Sequence, residues 1–139
     1  MKHIILAVLL IALSLLLVSC ADTPEGAARA WLNAMMKLDG NKILDLTCAA
    51  QVENVQQTGL WASAFSLVPQ LFGLNIQSKS DISGLNFVST SLNGDNATVH
   101  VYGDMRVAIL AFAQAYPVDE SWKMARESGK WKWCGQATP

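Results

Sequence analysis

Three groups of residues have types and spacings that could do chemistry. Leu17-Val18-Ser19-Cys20 closes an apolar run from Ile4 to Val18 that only Ser14 interrupts. A thiol at that point can carry diacylglycerol through a thioether, and small residues before it let a peptidase reach the bond. Cys48 and Cys134 are the remaining two of the three cysteines. Outside the cytoplasm two such thiols are more often paired than free, which makes them a candidate disulfide. The alternative is a nucleophile pair of Cys48 with His100. The third group is His100, Tyr102, Asp104 and Arg106, alternating with apolar residues. On one face of a strand they could move protons. The same pattern also fits the solvated face of a half-buried sheet, with Ala97, Val99, Val101, Met105 and Val107 turned to the core.

The N-terminal run decides how the first group reads. Fifteen residues of helix rise about 22 Å, short of the roughly 30 Å hydrocarbon core of a bilayer. Behind Met1-Lys2-His3, such a run reads as a signal h-region rather than a membrane span. Leu17 to Cys20 is then a lipobox. Residues 1–19 are expected to be removed, Cys20 to carry the lipid, residues 20–23 to act as a tether and 24–136 to form one domain. Two or three acyl chains make a stable anchor, so the membrane is an expected partner through Cys20. Ala21 rather than an Asp follows the cysteine, which leans toward the outer membrane of a two-membraned bacterium. In a one-membraned cell the place is the outer face of the cell membrane.

Composition narrows the remainder. The 139-residue chain has a formal net charge of −1. Removing residues 1–19 leaves 120 and takes away Lys2, so the mature chain holds 9 basic and 11 acidic side chains. Nucleic acid is not an expected partner. His100 is the only histidine beyond the leader, which excludes a His-rich metal site. No Gly-x-Ser-x-Gly, Walker-type loop or Gly-x-Gly-x-x-Gly occurs, and no cofactor or catalytic residue is assigned. A chain of this size buries about two thirds of its unfolded surface, enough for a core of its own.

The elements that would position these residues follow from periodicity. Thr23-Pro24-Glu25 starts a helix, with Thr23 as cap and Pro24 in the first helical position. Ala27, Trp31, Ala34, Met35 and Leu38 recur at helical spacing, and Asp39-Gly40 ends the helix. Asn41 can cap a short second helix. Residues 50–72 read as a third helix ended or bent near Pro69, with an apolar stripe wider than one face needs. That surplus could complete the core by closing the base of the domain, with a small interface left over for a homodimer, a docked partner or contact with lipid. Residues 82–92 and 97–107 are strands about the turn Asn93-Gly94-Asp95-Asn96. Residues 108–118 fit either strand or loop. A last hairpin spans 120–127 and 130–134, where simple alternation puts Cys134 opposite Trp131 and Trp133, so a bridge to Cys48 needs a bulge or a strand end. Helices followed by antiparallel strands predict an α+β domain.

Thr23-Pro24-Glu25 with Ala27-Ala28 and Trp31, Leu38-Asp39-Gly40, Gly94-Asp95-Asn96-Ala97-Thr98-Val99 and Glu127-Ser128-Gly129-Lys130-Trp131-Lys132 occur in that order. The pattern resembles small lipoproteins of the nuclear transport factor 2-like superfamily, the cone-shaped fold of ketosteroid isomerases and SnoaL-type cyclases. The resemblance implies N-terminal helices packed in a curved antiparallel sheet with an apolar pocket between them. Candidate lining residues are Trp31, Met35, Phe65, Val99, Val101, Trp122, Trp131 and Trp133, all of which equally fit an ordinary core. The fold hosts enzymes, binders and scaffolds alike. The leading expectation is a non-enzymatic, lipid-anchored envelope domain that binds a small apolar ligand or an envelope protein. The alternative is a SnoaL-like enzyme using His100, Tyr102 and Asp104.

Overall fold

The computed structural model describes residues 22–58, 78–109 and 112–137. The leader, Cys20, Phe65 and the whole apolar stripe of residues 60–74 lie outside these. Helix α1 spans Pro24–Met36 and α2 spans Gly40–Asp45. A 3₁₀ turn, Ala49–Gln51, runs into helical residues 52–58. Five strands follow: β1 Ser78–Asp81, β2 Leu85–Asn93, β3 Asn96–Ile109, β4 Phe112–Glu127 and β5 Lys130–Gln136.

The start of α1 is built as its residue types dictate. The Thr23 side chain accepts from the Gly26 N–H at 3.0 Å, and Pro24 opens the helix where no partner for its nitrogen is needed. The second helix begins differently from expectation. Asp39, not Asn41, is its cap, accepting from the Lys42 N–H at 3.2 Å. A carboxylate one residue before the glycine reaches a free N–H that Asn41, already inside the helix, cannot cap.

The strands form one antiparallel sheet in the order β1-β3-β4-β5, with β2 also paired to β3. Strands β1 and β2 therefore share one edge of β3, end to end. Residues 106–109 of β3 pair with β1, and 96–103 pair with β2. The join falls at Gly84, opposite Gly103. Gly103 has φ +125°, and a Cβ there would strike the Gly84 carbonyl. Glycine is needed where two backbones cross this closely. The described residues of the ambiguous stretch, 108–109 and 112–118, are strand: β3 and β4 pair continuously from Asn96–Ala125 to Ile109–Phe112.

The α+β cone of nuclear transport factor 2-like type, with helices packed within the sheet, is not what these residues form. They are mostly antiparallel sheet, and the short helices precede a curled sheet on its N-terminal side. Pairing continues to Ile109–Phe112, so β3 and β4 extend as a long ribbon past α1 and α2. Phe112 and Tyr116 on that ribbon are exposed, 80% and 44%. The core occupies only the other half. There Ala28, Trp31 and Leu32 of α1 meet Val99 and Val101 of β3, Met124 of β4 and Trp131 of β5.

Trp31 stands at the centre of that core. Its ring stacks on Trp133, centroids 4.1 Å apart, and meets Trp122 edge-on at 5.6 Å. Its indole N–H donates to the Thr47 hydroxyl at 3.0 Å, and that hydroxyl donates to the Ile43 carbonyl at 2.6 Å. One side chain thus ties α1 to β4, β5 and the segment after α2. Trp31→Ala would open a large cavity and remove one of the two hydrogen-bond partners of a buried hydroxyl. The expected loss is about 3–5 kcal/mol in urea unfolding, while Trp31→Phe should lose clearly less.

Candidate functional site

Two places bring chemically capable side chains together. The first is the join between Leu46–Cys48 and β5. Thr47 pairs with Trp133 as a parallel bridge: the Cys48 N–H donates to the Trp133 carbonyl at 2.9 Å, and the Trp133 N–H donates to the Leu46 carbonyl at 2.8 Å. Beside this bridge Cys48 and Cys134 form a disulfide, Cα–Cα 5.2 Å, across 86 residues of sequence. The alternation problem is solved by a bulge. Between the pairs Met124–Trp133 and Trp122–Gln136, β5 has one more residue than β4, at Cys134 and Gly135. Gly135 takes φ +103°, a conformation that glycine adopts freely. With Cys48 in a disulfide, the Cys48–His100 nucleophile pair has no thiol. A closed loop of this length stabilises by about 4–5 kcal/mol on the chain-entropy model.

The second place is the outer face of the sheet. His100, Tyr102, Asp104 and Arg106 lie on the face away from α1, while Val99 and Val101 are fully buried on the other. A partner not anticipated from sequence joins them. Asp119, on β4, accepts from His100 Nε2 at 2.6 Å. Tyr102 lies beside the imidazole with centroids 5.1 Å apart. Asp119 sits one strand over and diagonal to His100, a relation visible only once the β3–β4 register is known. The His100 side chain is 35% exposed and that of Asp119 is 82%. Asp104 is not part of the pair, and Arg106 stands opposite Asp81 of β1. The hydrogen bonds from Ser83, with Arg106 nearby, hold the Asp81 carboxyl below the ordinary carboxylate range.

The candidate pocket residues other than Phe65, which lies outside the described residues, belong to the packed interior. Trp31, Val99, Val101, Trp122 and Trp131 are buried in the core cluster, and Met35 and Trp133 pack against it. Trp133 Nε1 is a buried donor with no partner among the described residues. An open depression of about 310 Å³ lies elsewhere, along Ser91, Asn96, Thr98, Lys123 and Cys134, and none of the candidate lining residues borders it. No group of three or more His, Cys, Asp or Glu that could hold a metal occurs among the described residues.

With this geometry in hand, the fold is similar to that of a SEC-C motif containing protein from Rhodopseudomonas palustris, known from its solution structure. The match covers 90% of this chain and 85% of that one, with TM-score 0.55 and 17% sequence identity. At that identity the likeness concerns the fold alone. No family model matches the chain, and no curated protein is significantly similar to it. The resemblance to nuclear transport factor 2-like lipoproteins is therefore withdrawn. Its marks were a helix cap, turns and a hairpin, which recur wherever such elements are built, and the structural likeness leads to a differently described protein.

The His100–Asp119 pair is open to water, and exposed pairs contribute little. His100→Ala and Asp119→Asn are each expected to change the free energy of unfolding by less than about 1 kcal/mol in urea titrations. A loss of several kcal/mol would mean that the outer face is covered in the folded protein.

Proposed function

We propose that this chain is a lipid-anchored protein of the bacterial cell envelope whose folded part is a non-enzymatic accessory or interaction domain. The observation that carries the reading is Leu17-Val18-Ser19-Cys20 at the end of an apolar run too short to span a bilayer. The Cys48–Cys134 disulfide supports the compartment, because such bonds persist where the surroundings are oxidising. The domain's role follows from where its polar groups lie. Proton transfer to a substrate benefits from a group held in a water-excluded site. The His100–Asp119 pair instead lies on an open sheet face. The residues that could have lined an internal ligand site are packed against one another. An outer face of mixed polar and aromatic side chains suits contact with another envelope protein better than capture of a small molecule.

The anchoring step has a direct test. Cells expressing the full chain and fed radiolabelled palmitate should incorporate label into it. Cys20→Ala should abolish the label and leave the uncleaved precursor. Label that persists in Cys20→Ala, or none in the parent chain, contradicts the reading.

A further inference from the structure

The end of the domain nearest the N-terminus is fixed in space by three contacts. Asp22 accepts from the Trp131 N–H at 3.2 Å, just past the β4–β5 turn at Ser128-Gly129. Glu25 accepts from the Ser89 N–H at 3.2 Å, midway along β2. Partial burial pushes the Glu25 carboxyl upward, but its hydrogen bonds, chiefly with Ser89, outweigh this and hold it below the usual range. The Arg126 N–H donates to the Asp95 carbonyl at 2.7 Å, which puts the β2–β3 turn beside the β4–β5 turn. The start of α1 and both turns therefore share one end of the molecule.

Only one residue, Ala21, separates Cys20 from Asp22. Two residue steps span at most about 7 Å even when fully extended. We infer that this end of the domain rests on the phospholipid headgroups, with the β4–β5 turn in contact with them and the β3–β4 ribbon projecting away from the membrane. The inference rests on the lipid-anchored reading, since the acyl chains must be carried by Cys20. Tether length, not net charge, sets this contact, since the carboxylates of Asp22, Glu25, Asp95 and Glu127 share this end with two cations that can each reach a headgroup phosphate. Arg126 and Lys130 are exposed there. The neighbouring carboxylates are engaged by backbone groups: Asp22 by Trp131, and Glu127 by the Ala49 N–H at 3.1 Å. Strand β3 begins at this end and runs 14 residues to Ile109. At about 3.4 Å per residue a straight strand of this length reaches on the order of 45 Å, the upper limit for a strand in a curled sheet. Phe112, the exposed aromatic at the ribbon tip, is thereby placed beyond the reach of lipid and open to a partner.

The test uses the full chain, processed in cells and reconstituted into phosphatidylethanolamine–phosphatidylglycerol vesicles. A benzophenone amino acid replaces Lys130 in one variant and Phe112 in another. After flotation and irradiation, the Lys130 variant should crosslink to phospholipid and the Phe112 variant should not. Lipid adducts at Phe112, equal labelling at both positions, or none at either in protein that floats would overturn the orientation. Protein that does not float would instead refute the lipid anchor, and the orientation would fall with it.

Discussion

The join between Leu46–Cys48 and Trp133 is the constraint on which the rest of the fold depends. The helices and the sheet meet through few elements, and α1 alone cannot fix where the following segment goes. Two backbone hydrogen bonds and a disulfide hold that segment to β5. Trp31 then fills the space between them, stacked on Trp133 and bonded to Thr47. The three tie the same two pieces of chain and reinforce one another. A hydroxyl and an indole N–H buried together are costly unless paired, and here each supplies what the other lacks. Release of β5 would expose Trp31 and Trp131 at once.

This join also explains the division of the sheet into two halves. Where α1 covers it, inward residues are buried and the outer face carries His100, Tyr102 and their neighbours. Beyond Gly103 only Met105 and Val118 pack against the core among the described residues, and β3 and β4 continue as a ribbon on which Phe112 and Tyr116 are exposed. The close backbone approach at Gly84 and Gly103 marks the boundary.

Much of this was legible in the sequence where the physics is local. The Thr23 cap, the Asn93–Asn96 turn, the two-residue alternation of β3 and the pairing of two leftover cysteines depend on neighbours a few residues apart or on simple counting. The failures were non-local. Asp119 as the partner of His100 requires the β3–β4 register. The bulge that turns Cys134 toward Cys48 appears only when β5 is laid against β4. The cone-shaped fold was inferred from marks of helix starts and turns, and these say nothing about how far two strands run before they part. Residues 108–118 carried the deciding information, and their mixed apolar character is compatible with either strand or loop until the continuous pairing is seen.

Amide hydrogen exchange, resolved by residue, tests the central role of the join most directly. The N–H groups of Cys48 and Trp133 should exchange only by global unfolding, with the same opening free energy as Val99 and Val101 in the core. Faster exchange at Cys48 and Trp133 while Val99 stays protected would show that the segment opens by itself, and would contradict the account.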